Sequence, residues 1–242
     1  MVQYRALKGK RVMLSVLITR PREQAESLAQ KLLQLNIAPL VFPTIEIKSV
    51  NFKAEINLNK YNILIFVSPA AIIHFAAHIK KIPSQLKIFT MGEDSAKMIE
   101  ELGWPKALYP HNHFSREHLL QLPELQQLSH QAVLIIEGKN GSPELHTHLE
   151  SRGAKVSHLI TYERTLPQPK KLPELDTIDI TICTSQEGLK NLVTLLGPDI
   201  KTKPLLLSSQ KLASLAKTLG FTGRIFLAEN AGDNALIQAL PS

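Results

Sequence analysis

Apolar residues along this chain fall in short runs separated by amphipathic stretches, and the two kinds of segment alternate almost without interruption. Strand-length apolar runs lie at 12–18, 37–42, 62–67, 86–91 and 106–109, and between them 22–35, 70–79 and 93–102 space their apolar positions at the helical period. The alternation continues with strands predicted at 132–136, 155–162, 178–183, 204–208 and 224–228, and helices at 143–152, 186–196, 210–219 and 232–240. Pro21, Pro69 and Gly103 mark helix boundaries, as the fixed φ of proline and the permissive backbone of glycine dictate. Strands that alternate with helices of about ten to fifteen residues are joined by crossovers, so the predicted sheet is parallel and covered on both faces.

The pattern occurs twice. Ser68 and Ser185 each follow an apolar strand and stand 117 residues apart, and the same offset superposes Val16-Leu17-Ile18 on Val133-Leu134-Ile135. Leu28 falls on Leu145, Leu32 on Leu149, Thr44 on Thr161, Ala96 on Ala213 and Gly103 on Gly220, with an aromatic after each glycine (Trp104, Phe221). A constant displacement along the chain with no gap argues for duplication of one structural unit. The chain therefore reads as two small doubly wound α/β domains, which bind ligands beyond the carboxyl ends of their strands. Residues 43–60 are polar and irregular after the extended Thr44-Ile45-Glu46-Ile47, and Pro167, Pro169 and Pro173 exclude a helix from 163–176. Thr44–Ile47 and Thr161–Arg164 hold equivalent places in the two repeats, which suits two strands crossing between domains.

Composition narrows the function classes. The 242 residues suffice for a core in each domain, and the single Cys183, inside the apolar run 178–183, reads as a buried small hydrophobe in a reducing compartment. Arg5, Lys8, Lys10 and Arg11 precede an apolar run too short for a signal peptide, and no stretch approaches the roughly 18 apolar residues of a membrane span, so a cytoplasmic location is expected. A net charge of +7 favours an anionic partner. Its basic residues form scattered pairs (Lys80-Lys81, Lys170-Lys171, Lys201 and Lys203) and not the clustered stripe of a nucleic-acid binder.

Candidate chemistry gathers at the predicted strand ends: Thr19-Arg20, Ser68, the stretch 92–95, Glu137-Gly138-Lys139, Thr184-Ser185 and Ser208-Ser209. Hydroxyls and glycines beside helix N-termini suit carboxylates or phosphates, although Ser and Thr are equally preferred there as caps. Gly138-Lys139-Asn140-Gly141-Ser142 lacks the spacing of a nucleotide-binding phosphate loop. His111, His113 and His118 lie in or beside a loop, His146 and His148 stand two apart on a helix, and no metal site is expected. Tyr162, placed at the end of a strand, offers a phenol that can either donate a proton in a partly dry site or simply pack a seam.

These residues carry a resemblance. Ile18-Thr19-Arg20-Pro21, Val67-Ser68-Pro69, Gly92-Glu93-Asp94-Ser95-Ala96, Phe114-Ser115-Arg116-Glu117 with Leu119-Leu120, the stretch from Arg152-Gly153-Ala154 to Tyr162-Glu163-Arg164, Thr184-Ser185 and Ser209-Gln210-Lys211 form a string similar in order and spacing to that of the uroporphyrinogen-III synthases. Glu137 stands where that family often carries Arg, Ser142 and Pro143 occupy the neighbourhood of a second Arg, and Lys211 replaces a third, leaving Lys139 as the nearby positive charge.

The resemblance implies two flavodoxin-like domains joined by a two-stranded linker. One would comprise residues 1–42 and 168–242, the other 48–160, with 43–47 and 161–167 as linker strands and the site in the cleft between domains; the sequence itself does not separate this exchange from two consecutive domains. It further implies a cofactor-free monomeric lyase that cyclises hydroxymethylbilane to uroporphyrinogen III with ring D inverted through a spiro intermediate. Tyr162 is then the expected catalytic acid, and Arg20, Ser68, Gly92, Ser95, Ser115, Gly138, Lys139, Ser185, Ser209 and Lys211 the expected substrate contacts. The competing class is a non-catalytic two-domain α/β sensor that clamps a small anion or tetrapyrrole.

Overall fold

The computed structural model describes residues 14–52, 56–111, 115–141 and 143–241. The four basic residues before position 12, the first two positions of the 12–18 run, and His113, Phe114 and Ser142 lie outside them. One unit is built from the chain up to Glu46 and from Thr165 onward, the other from Ile47–Arg164.

In the first unit, β1 (Ser15–Ile18), β2 (Ala38–Val41), β9 (Ile180–Cys183), β10 (Leu205–Leu207) and β11 (Ile225–Leu227) form a sheet in the order β11-β10-β9-β1-β2. Every neighbouring pair in it is parallel. Helices α1 (Arg22–Gln34), α6 (Gln186–Leu196), α7 (Gln210–Thr218) and α8 (Asp233–Gln238) cover its two faces. Because side chains alternate along a strand, Val16, Ile18, Ile180 and Ile182 pack with Leu28 and Leu32 of α1, while Leu17, Cys183, Leu205 and Leu207 pack with Leu189, Leu192 and Leu212 on the opposite face.

The second unit holds β3 (Glu46–Ser49), β4 (Ile63–Phe66), β5 (Lys87–Thr90), β6 (Ala107–Leu108), β7 (Ala132–Gly138) and β8 (Lys155–Thr165), in the order β3-β8-β7-β4-β5-β6. Its helices are α2 (Pro69–His78), α3 (Glu93–Glu101), the single turn α4 (Arg116–Leu119) and α5 (Pro143–Ser151). Leu64, Phe66, Leu134 and Ile136 face α2 and α3 with Trp104; Ile63, Ile65, Val133 and Ile135 face Leu145 and Leu149 of α5.

The repeat is visible in backbone detail. Ser68 and Ser185 cap α2 and α6 identically, each accepting from the N–H three residues on, and Gly103 and Gly220 both take the left-handed conformation (φ 68° and 85°) that closes a helix. The sheets nevertheless draw on both repeats: β1 and β2 of the first lie with β9–β11 of the second. Where sequence pattern ended a strand at 162, β8 runs three residues further, to Thr165.

One irregularity positions the site. β7 and β8 pair in register up to Glu137 opposite Ile160, and then Gly138 stands opposite Tyr162, so that Thr161 is an extra residue on β8. Such a bulge reverses the alternation of faces beyond it. Val156 packs on the α5 side and Leu159 on the α2 side; regular alternation would send Tyr162 with Val156, but the extra residue places it in the α2-side core beside Leu159 and Phe66.

Candidate active site

The carboxyl ends of β4, β7 and β8 bring Ser68, Gly138, Lys139 and Tyr162 together. The Tyr162 ring is 4% exposed, and its hydroxyl lies 3.0 Å from Ser68 Oγ. Ser68 Oγ also accepts the Ala71 N–H at 3.2 Å, so it is fixed as the cap of α2 while meeting the phenol. His74, in the second turn of α2, stacks on the Tyr162 ring with centroids 5.9 Å apart and planes 23° from parallel. Below the ring lies Gly138, where an added Cβ would stand 2.6 Å from two ring carbons and 3.0 Å from the hydroxyl. Lys139 closes the arrangement from the backbone, its N–H donating to the Tyr162 carbonyl at 2.8 Å, while its ammonium turns outward to Glu163 at 3.3 Å.

Gly92 and Ser95 sit at the neighbouring strand end, Gly92 as the extended N-cap of α3 and Ser95 buried in its first turn; Thr90 donates its hydroxyl to the Gly92 carbonyl at 3.1 Å. Ser115 caps α4, its hydroxyl 2.9 Å from His118 Nδ1. The same hydroxyl bonds to Glu117 and, with the Glu117 backbone N–H, holds that carboxyl below its ordinary range.

The first unit carries its own set. Ser185 and Ser209 cap α6 and α7, and Lys211 lies exposed in the first turn of α7. Thr19 and Thr44, both buried, are knitted together: Thr19 donates its hydroxyl to the Ile182 carbonyl, Thr44 donates to the Thr19 carbonyl, and Asn191 donates to the Thr44 carbonyl at 2.8 Å. Arg20 is engaged inside this unit, with Nη1 2.7 Å from Asp233 and Nε 3.2 Å from Gln24. Lys31 and Ser27 reach the other Asp233 oxygen at 2.9 and 3.0 Å. Burial pushes the Asp233 carboxyl up, but the hydrogen bonds from Lys31, Arg20 and Ser27 together outweigh it and hold the carboxyl below its ordinary value. Cys183 is buried, and that burial pushes its thiol up. Among the described residues, no group of three or more His, Cys, Asp or Glu is placed to hold a metal ion, and no helix is long and apolar enough to cross a membrane.

Four of the serines singled out in the sequence are thus caps, as their position beside helix starts allows, and Ser68 is the one whose hydroxyl also meets Tyr162. Sequence reasoning singled out Glu137 but missed His74 and the pairing of Glu137 with His158. A histidine in the apolar run of α2 was the available signal for the first; the second depends on strand register and left no signal in the sequence.

Comparison with known proteins agrees with the architecture. The model of a family described as uroporphyrinogen-III synthase HemD matches residues 26–238. The chain is 28% identical to the uroporphyrinogen-III synthase of Escherichia coli (strain K12), over 94% of this chain and 100% of that protein. It is 30% identical to the uroporphyrinogen-III synthase of Proteus mirabilis, over 62% of this chain and 80% of the other. The crystal structure of uroporphyrinogen-III synthetase from Helicobacter pylori 26695 superposes with a TM-score of 0.66 at 16% identity, over 93% of this chain and 97% of that one, and so shares its fold.

Proposed function

The chain belongs to the uroporphyrinogen-III synthase family, and on that premise we propose that it closes hydroxymethylbilane into uroporphyrinogen III with Tyr162 as the proton donor that starts the reaction. The observation that carries the assignment of Tyr162 is its contact with Ser68 at 3.0 Å, in a phenol 4% exposed, over a glycine whose missing side chain makes room for the ring.

The chemistry is a loss of water with one ring reversed. Tyr162 gives its proton to the departing ring A hydroxyl, which leaves as water and generates an azafulvene cation. The Ser68 hydroxyl, already accepting the Ala71 N–H, is free to turn its own hydrogen toward the phenol oxygen as charge develops there. Ring D attacks through its substituted carbon, the spiro intermediate opens and recloses with that ring inverted, and the proton lost on rearomatisation returns to the phenol oxygen. Closure without the protein gives the unrotated type I isomer, so the task is steering: a hundredfold preference for the inverted route needs a barrier difference of only about 2.7 kcal/mol. A few oriented contacts supply that.

The substrate is a polyacid, which a chain of net charge +7 suits. Gly92, Ser95, Ser115, Lys139, Ser185, Ser209 and Lys211 are its proposed further contacts; Arg20 contributes by ordering the end of β1 against Asp233. The reaction uses no cofactor, nucleic acid or second subunit, and the protein is taken to act as a cytoplasmic monomer. Incubation of the purified protein with freshly made hydroxymethylbilane, followed by separation of the isomers, tests the reading. Predominance of type III is expected, and a product mixture identical to that formed without protein would refute it.

A further inference from the structure

We infer that Glu137 and His158 form a positioning pair that sets the 138–141 loop against Tyr162; this rests on the reading of Tyr162 as the proton donor. Glu137 is 6% exposed at the end of β7, on the face opposite Tyr162, and its Oε1 is hydrogen-bonded to His158 Nδ1. The His158 ring is braced in turn by His146 of α5, edge-on with centroids 4.6 Å apart, and His146 Nε2 lies 3.2 Å from Glu150.

The other Glu137 oxygen lies against the loop. A side chain at Gly141 would collide with that carboxylate, so the loop folds directly over it. Asn140, in the left-handed conformation (φ 65°), makes the turn that brings Gly141 back. At its start the same loop presents Gly138 to the Tyr162 ring and the Lys139 N–H to the Tyr162 carbonyl. The carboxylate thus holds one end of a four-residue span whose other end sets the phenol, and the bulge at Glu137/Gly138 places the two side chains on opposite faces of the sheet.

A role confined to stability would lower the melting temperature and leave turnover of the folded protein unchanged. Positioning predicts otherwise. His158→Ala should lower kcat about tenfold with KM within about twofold, since misplacement of a reacting group acts on the chemical step. His158→Asn, whose amide nitrogen stands where Nδ1 does, should restore kcat to within about twofold of the parent. In a Tyr162→Phe background, His158→Ala should lower kcat little further, because residues acting through one another are not additive.

Unchanged kcat in His158→Ala, failure of the Asn variant to restore it, or full additivity with Tyr162→Phe would each overturn the inference. Should His158→Ala not fold, Gly141→Ala carries the test: its methyl displaces the carboxylate and should lower kcat in the same way, and parental kcat in that variant would overturn the inference too. Parent protein that yields type III isomer alongside an unimpaired His158→Ala would remove this pair and leave the assignment of Tyr162 standing. Parent protein that yields only the spontaneous isomer would remove the assignment itself.

Discussion

A single methyl group at position 138 probes where the Tyr162 ring must stand. In Gly138→Ala the new Cβ would stand 2.6 Å from Cε2 and Cζ of Tyr162, against a normal carbon–carbon approach of roughly 3.5–4.0 Å, so the ring must retreat by about 1 Å. Its retreat is opposed by His74 stacked on it and by the core containing Phe66 and Leu134. The Ser68 hydrogen bond, at 3.0 Å, has only about half an ångström to spare before it is lost. Overpacking of this kind costs about 1–3 kcal/mol, which in a unit of this size lowers the melting midpoint by roughly 5–10 °C. Displacing a catalytic group by about 1 Å lowers the chemical step by about 100-fold. Single-turnover formation of type III uroporphyrinogen, measured well below the variant's melting temperature, should show that loss while the fold persists by circular dichroism. A folded Gly138→Ala variant that turns over within twofold of the parent would show that the reaction does not depend on where the phenol stands.

Ser68→Ala leaves the Tyr162 ring in place and should therefore be milder, with turnover down by less than about tenfold in the single-turnover assay and about 1 kcal/mol lost with the α2 cap in urea unfolding. Thr181→Val should stabilise the protein by about 1 kcal/mol in the same unfolding assay, because the Thr181 hydroxyl is buried on β9 with no hydrogen-bond partner among the described residues. Asp233→Ala should cost about 2 kcal/mol by leaving the nearly buried Arg20 guanidinium without its partner, again read from unfolding. Because the Asp233 carboxyl is held below its ordinary value in the folded protein, its contribution is complete above the unfolded carboxylate range and disappears as pH falls through the lower, folded value. Urea midpoints measured from neutral pH downward should thus draw together for parent and Asp233→Ala as pH falls below the ordinary carboxylate range, and a constant gap would contradict the pairing.

Strands and helices were legible because each is signalled locally. Buried runs such as 63–66 are apolar at every position, Ser185 announces α6, and Gly103 and Gly220 stop their helices where the periodicity ends. What was not legible is that β8 is one strand: the pattern closed a strand at 162 and read Thr161–Arg164 as a separate crossing strand, whereas Lys155–Thr165 is continuous. The face that Tyr162 occupies could not be read at all: a bulge is a relation between two strands, and nothing in the composition of 155–165 shows that one residue is extra. Arg20 has a partner that the sequence did not reveal. At a strand end it reads as an anion-binding residue, and the fold joins it to Asp233, 213 residues away in the sequence. The hydroxyls stood where expected, but capping and substrate contact call for the same residue in the same place, so sequence alone could not tell Ser68 from Ser185 or Ser209.

Whether Tyr162 starts an inverting ring closure is decided by the isomer composition formed in one turnover by parent and Tyr162→Phe protein, compared with closure in buffer alone. Type III is expected from the parent, and from the phenylalanine variant a roughly hundredfold slower enzymatic route that lets the spontaneous type I isomer accumulate. Type III formed by Tyr162→Phe at the parental rate would contradict that role for Tyr162.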